Sequence, residues 1–155
     1  MGVAALMSIV VNAPVPGTAA PLTEVPDPVF AGAMVGPGVA VWPDLGTAEV
    51  VSPIAGVLVK LKPHAFVVQE PGGRAVLVHL GIDTVGLNGD GFTVLAAEGQ
   101  QVRAGEVVVR WSPGDVARRG LSPVCPVVAL DAPADAITDP AAGEITAGEA
   151  LFTWN

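Results

Sequence analysis

The sequence predicts an all-β protein: an antiparallel β-sandwich or barrel-sandwich carrying one or two short surface helices. Three observations point there. The apolar runs are short and valine-rich, and 19 glycines and 15 prolines punctuate them, the pattern of many brief strands joined by turns. One run, Ala75-Val76-Leu77-Val78-His79-Leu80-Gly81-Ile82-Asp83-Thr84-Val85, is almost unbroken and is entered from the turn Glu70-Pro71-Gly72-Gly73, so it reads as a buried or half-buried strand. The segment Val102-Arg103-Ala104-Gly105-Glu106-Val107-Val108-Val109-Arg110-Trp111 recurs without a gap, 43 residues later, as Ile145-Thr146-Ala147-Gly148-Glu149-Ala150-Leu151-Phe152-Thr153-Trp154. Two copies are too few for a solenoid. A duplicated motif closing into one pseudo-symmetric sandwich fits them better.

In chain order, Ala13-Pro14-Val15-Pro16-Gly17 and Ser52-Pro53-Ile54-Ala55-Gly56 share the pattern small-Pro-apolar-x-Gly, each opening an extended segment. Val25 to Met34 reads as a short helix, with Asp27 placed to accept from orphan backbone amides and Pro28 in the first turn. Gly36-Pro37-Gly38 is expected to end it. Val39-Ala40-Val41-Trp42, Val50-Val51 and Val57-Leu58-Val59-Lys60-Leu61 follow as strands, and Leu87-Asn88-Gly89-Asp90-Gly91 is turn chemistry. Ser112 to Gly120 carries a helix start, a first-turn proline, an acid at the third position and a terminating glycine.

At 155 residues the chain is long enough for one domain, and no apolar run approaches a membrane span. Met1 to Val11 is apolar but has no cationic leader, so it is a poor signal peptide. Leu6 stands where myristoylation wants Ser or Thr. The expectation is a cytoplasmic protein, with residues 1–12 a flexible extension and 13–155 the folded domain. Met7 offers a second start, which would leave residues 1–6 as disordered extension. Net charge is −8, and Lys60 and Lys62 are the only lysines. Without a basic patch, no nucleic-acid partner is expected; an acidic surface suits a basic protein partner. Cys125 is alone, which rules out an intrachain disulfide and leaves it as a small core residue.

Chemistry is carried by the two histidines. His79 lies inside the long apolar run and must find a partner there. His64 lies fifteen residues upstream across a hairpin, so both imidazoles can reach one face, with Asp83 as a nearby carboxylate. Each of these residues also has a plain structural reading: histidines satisfied in place, Asp27 a helix cap, Asp83 a turn residue, and Val29, Phe30 and Val85 core. Trp111 and Trp154 read as core in both repeats.

Several segments together resemble the glucose-type enzyme IIA of the bacterial phosphoenolpyruvate-dependent sugar phosphotransferase system. They are Val25-Pro26-Asp27-Pro28-Val29-Phe30-Ala31, Ser52-Pro53-Ile54-Ala55-Gly56, His64-Ala65-Phe66 and His79-Leu80-Gly81-Ile82-Asp83-Thr84-Val85. Phe92, then Glu98-Gly99 and Val102-x-x-Gly105, continue the match, which spans Ala13 to Trp154. The resemblance implies a small antiparallel sandwich that takes a phosphoryl group from an HPr-like phosphocarrier and hands it to an enzyme IIB domain, needing no cofactor and no metal. It implies His79 as the phosphorylated nucleophile and His64 as the imidazole that steadies the phosphoryl oxygens. It also implies Asp27 and Asp83 as acids meeting partner arginines, with Val29, Phe30, Val35, Leu77 and Val85 as an apolar docking rim. The residue types suit the task, because a neutral imidazole is nucleophilic without a separate base. Phosphoryl transfer is mostly positioning and charge stabilisation.

The chain departs from the pattern just before His64. The turn through Lys60-Leu61-Lys62-Pro63 is short, and a threonine usual there is absent. Either a backbone carbonyl orients this ring, or Lys62 adds positive charge near the phosphate. Two rival classes remain. A zinc hydrolase would need three placed ligands such as His64, His79 and Asp83, and the chain lacks the usual His-x-His. A biotin or lipoyl carrier would need a lysine on a tight turn of a kind that holds neither Lys60 nor Lys62. A purely regulatory module binding target proteins through the same apolar face is a further possibility.

Overall fold

Along most of the strands, buried and exposed residues alternate, and this alternation sorts two faces of one long sheet. A computed structural model describes residues 7–155. It contains β1 (Ile9–Asn12), β2 (Gly17–Pro21), α1 (Pro28–Ala31), β3 (Gly38–Pro43), β4 (Ala48–Val51), β5 (Gly56–Lys62), β6 (Ala65–Gln69) and β7 (Ala75–His79). It continues with β8 (Phe92–Val94), β9 (Gln101–Val102), β10 (Val107–Trp111), α2 (Pro113–Arg118), β11 (Cys125–Ala129), β12 (Ile137–Thr138), β13 (Gly143–Ile145) and β14 (Ala150–Trp154). Every strand pairing is antiparallel. An eight-stranded sheet runs β13-β2-β3-β11-β7-β6-β5-β9, flanked by the three-stranded sheets β1-β14-β12 and β4-β10-β8.

That strand order is its own mirror. Exchanging β2, β3 and β11 with β5, β6 and β7 maps the long sheet onto itself and swaps the two small ones. Backbone hydrogen bonds repeat across the same axis. Asn12 N–H donates to Pro53 O at 2.9 Å and Val51 N–H to Pro14 O at 3.0 Å; Gly105 N–H reaches Ser52 O and Gly148 N–H reaches Ala13 O, both at 2.9 Å. The small-Pro-apolar-x-Gly pair and the two ten-residue repeats are therefore one duplication seen twice. The inner face of the long sheet supplies Val39, Val41, Phe66, Val68, Val76, Val78 and Val127 to the main core, which also takes Trp111 and Trp154.

Three expectations need correction. Ile9–Asn12 is a strand paired with β14, so the fold begins before residue 13. Val11 is fully buried, and Arg74 ties the segment down by donating to Met7 O at 2.7 Å and Trp154 O at 3.2 Å. The expected disorder of residues 1–6 lies outside the described residues. The first helix is a single turn: its amide at Val29 is capped by Asp27 Oδ1 at 2.8 Å, but Gly32 closes it and Ala33 turns left-handed at φ 53°. The histidine strand ends at His79, because Gly81 (φ 79°) and Asp83 (φ 62°) turn the chain into a 3-10 segment at Thr84–Leu87. The second helix, Pro113–Arg118, forms as expected with Ser112 as its cap. Cys125 is buried, which pushes its thiol up to about 12 and leaves it unreactive.

The outer face is where the two halves differ. Between β2 and β3 the chain makes a long excursion, including α1, that lies over the sheet; between β5 and β6 the equivalent link is only Pro63 and His64. The excursion closes a second apolar cluster of Leu22, Val25, Phe30, Ala40, Ile82, Val124 and Val128, with Val35 and Leu77 packed at its border. The site forms at that border.

Candidate functional site

Register places the histidines. Ala65 pairs with His79 across β6 and β7, and Lys62 pairs with Ala65 across β5 and β6. His64 occupies the tight turn, and its carbonyl accepts from Leu80 N–H at 2.7 Å, locking the turn to the end of the histidine strand. The two imidazoles meet edge to face with centroids 5.2 Å apart and planes at 74°. Phe30, from α1, packs on the other side of His79 with centroids also 5.2 Å apart. The hairpin expected from the sequence thus brings both histidines together.

The tautomer of His79 follows from one contact. Its Nδ1 lies 2.6 Å from Gly81 O, and a carbonyl only accepts, so Nδ1 carries the proton and the Nε2 lone pair is free. Gly81 must be glycine. A Cβ there would sit 2.7 Å from Thr84 Cγ2 and 3.0 Å from Ser122 O, at a left-handed φ. Thr84, buried, donates from Oγ1 to Leu80 O at 2.8 Å, and Ile82 N–H donates to Ser122 O at 2.9 Å. Neither Gly81 nor Thr84 has an assigned role among the candidate residues above; a glycine two residues after a strand histidine is the signal the sequence offers.

Burial pulls His79 below its ordinary imidazole value, against the opposing pull of the Gly81 carbonyl and the Asp27 and Asp83 carboxylates. His64 is lowered too, by burial first and then by the charges of His79 and Lys62. Both rings are therefore neutral at neutral pH. Before His64, where the chain departs from the family pattern, the charge of Lys62 acts on the His64 ring.

The acids and the rim divide. Asp27 caps α1, and its charge acts on His79. Asp83 is exposed; its backbone makes the turn, at φ 62° and with its carbonyl accepting from Gly86 N–H at 3.3 Å, but its side chain makes no capping bond to the 3-10 turn that follows. Val29 is 40% exposed and Val85 63% exposed, whereas Phe30 is 8% exposed. Val35 and Leu77 are half-buried. Phe30 is thus corrected from rim to core, because α1 turns it inward onto Ile82, Val124 and the His79 ring. Among the described residues, no three His, Cys, Asp or Glu side chains gather as a metal site requires. Lys60 and Lys62 lie in β5, not at the tip of a carrier-type turn.

Residues 9–134 match the family described as phosphoenolpyruvate-dependent sugar phosphotransferase system, EIIA 1. The chain is 39% identical over 142 residues to the "PTS system glucose-specific EIIA component" of Halalkalibacterium halodurans, covering 90% of this chain and 81% of that one. It is 37% identical over 122 residues to the "PTS system glucose-specific EIIBCA component" of Corynebacterium glutamicum, covering 79% of this chain but spanning only 18% of that longer protein. The solved structure of glucose permease IIA from Mycoplasma capricolum superposes with a TM-score of 0.88 at 32% identity, covering 96% of each chain. The pseudo-symmetric sandwich and these likenesses agree, and the chain belongs to the EIIA 1 family of the phosphoenolpyruvate-dependent sugar phosphotransferase system.

Proposed function

We propose that this domain carries a phosphoryl group on His79 Nε2, taken from an HPr-like phosphocarrier and passed to an enzyme IIB domain during sugar uptake in the cytoplasm. The observation that carries the reading is the 2.6 Å contact from His79 Nδ1 to the Gly81 carbonyl, which leaves Nε2 as a neutral nucleophile beside a second imidazole. In the transfer, the N–P bond of the carrier breaks and its electron pair stays on the carrier nitrogen. A new N–P bond forms at His79 Nε2 while Nδ1 keeps its proton. The ring then becomes cationic, a charge the Gly81 carbonyl and the Asp27 and Asp83 carboxylates favour. His64, neutral, donates an N–H to a phosphoryl oxygen and holds it in line without binding it too tightly to pass on.

Exposed Val29 and Val85, with Leu77 and Val35 at the border, form the apolar rim on which carrier and acceptor dock in turn. Asp27 and Asp83 meet the basic groups those partners bring. Among the described residues no helix is long and apolar enough to cross a membrane. Target proteins bound through the same rim would give the domain a regulatory role as well.

The test is incubation with phosphoenolpyruvate, enzyme I and HPr, followed by mapping of acid-labile phosphate. His79→Ala is expected to accept none. His64→Gln is expected to accept phosphate but to deliver it to IIB at least tenfold more slowly. Phosphate found on His64 in the unaltered protein overturns the assignment.

A further inference from the structure

We propose that the Lys62 ammonium is a third phosphoryl-binding group, reaching across the sheet to the phosphate carried on His79. The inference rests on the phosphoryl-carrier reading and adds to it a residue that stands where this chain departs from the family pattern.

The argument begins with register. Lys62, Ala65 and His79 form one row across β5, β6 and β7, so their side chains leave the sheet on the same face. Two strand spacings separate Lys62 from His79, about 10 Å between backbones. A four-carbon lysine stem leaning across covers part of that span, and a phosphoryl group standing out from the His79 ring covers the rest. The residue between them in the row is Ala65, whose side chain is a single methyl. Lys62 is exposed, and among the described residues the ion pairs engage Arg74, Arg110, Arg118 and Arg119 but neither lysine.

A second feature puts Lys62 on this face. Leu58 points into the core, and strict alternation would then send Lys60 and Lys62 inward as well. A β-bulge between Leu58 and Lys60 shifts the parity, so Leu61 turns toward the core and both lysines turn out. The two lysines of a chain at net charge −8 thus stand side by side on the strand that flanks the histidines. The charge of Lys62 is already felt at His64, where it helps to lower the imidazole.

The site has use for such a cation. Asp27 and Asp83 act on His79, and a phosphoryl dianion placed between two carboxylates is repelled. A lysine, a mobile point charge, offsets that repulsion without the bidentate grip of an arginine. It therefore stabilises the loaded state and still releases the group.

The experiment loads the full chain from two donors, phospho-HPr and the small molecule phosphoramidate, and compares the unaltered protein with Lys62→Met, Lys62→Arg and Lys60→Met. Lys62→Met is expected to lower the equilibrium loading from phospho-HPr about fivefold, and to shorten the lifetime of the phosphohistidine made with phosphoramidate. Lys62→Arg restores loading. Lys60→Met, which removes the same charge two rows along the ladder, moves both less than twofold.

A structural role would not move the second readout, the pH titration of the phosphohistidine followed by its phosphorus resonance. His64, Asp27, Asp83, Lys60, Lys62 and Glu98, whose carboxylate accepts from Leu61 N–H, are the titratable or charged groups around it. Removing a cation favours the protonated form, so Lys62→Met raises that midpoint. Unchanged loading and midpoint in Lys62→Met, or equal changes in Lys60→Met, overturn the proposal. Failure of the carrier reading looks different. It appears in the unaltered protein, as no phosphate on His79 from phospho-HPr, while the phosphoramidate arm still reports on Lys62; acceptance from neither donor overturns both.

Discussion

His79 is usable because one left-handed glycine aims a carbonyl at its Nδ1. Gly81 has no room for a side chain between Thr84 and Ser122, and the turn it makes is held by the Thr84 and Ile82 hydrogen bonds. The consequence can be read in pH. Both imidazoles lie below their ordinary value of 6.5 in the fold, so the unfolded chain binds more protons than the folded one just below that pH. Stability is therefore fully present above the unfolded value and falls as pH drops from about 6.5 toward the folded values. Acceptance of phosphate should persist below pH 6.5, because His79 is still neutral there, and fail only near its own lower midpoint. Ring NMR titration checks this: midpoints below that of a free histidine for both residues, with Asp83→Asn lowering His79 further. A His79 midpoint above 6.5 contradicts the account. That the two histidines meet was legible in the sequence, because a short hairpin and period-two alternation fix register locally. The tautomer was not legible, because the Gly81 carbonyl is aimed by Ser122, forty residues away in the chain.

The first helix shows the same limit at greater length. Its cap was readable from Asp27-Pro28, since capping is a contact between neighbours in sequence. Which of Val29 and Phe30 stays exposed was not, because that depends on β11 and the turn after β7 packing beneath α1. The first strand was missed for a related reason: Ile9-Val10-Val11 has strand composition, but its partner is β14 at the other end of the chain. The expected behaviours of the two helix residues now separate. Phe30→Ala should cost about 3 kcal/mol of stability, by opening a cavity in the second apolar cluster and against the His79 ring. Val29→Glu should leave the melting temperature within a degree or two, since the residue is exposed, yet weaken HPr and IIB binding at least fivefold. Melting curves and titration calorimetry measure the two effects. Equal loss of stability in both variants would place Val29 in the core as well.

The whole molecule is a duplicated sandwich whose halves agree in their ladders and differ most in the link between β2 and β3 against that between β5 and β6, and the site stands at that difference. The repeat and the shared Pro-Gly segments made this architecture legible, while the asymmetry needed the folded chain. The molecule is also strongly acidic, at −8, and its charge is not spread without regard to the site: Asp27 and Asp83 flank His79 while the two lysines line the neighbouring strand. Long-range charge of this kind raises the rate of encounter with a basic carrier more than it raises final affinity, and salt screens it. Asp83 is the better probe of the two acids, because Asp27 also caps α1 whereas the Asp83 side chain makes no capping bond. Replacing Asp83 by Asn keeps a residue that tolerates the left-handed φ of 62°, so the fold should be undisturbed. At low ionic strength the variant should accept phosphate from phospho-HPr severalfold more slowly, and at high ionic strength the two proteins should converge. A stopped-flow salt series paired with melting temperatures decides it. Were Asp83 merely a turn residue, the variant would melt earlier and its transfer rate would follow salt as the unaltered protein's does.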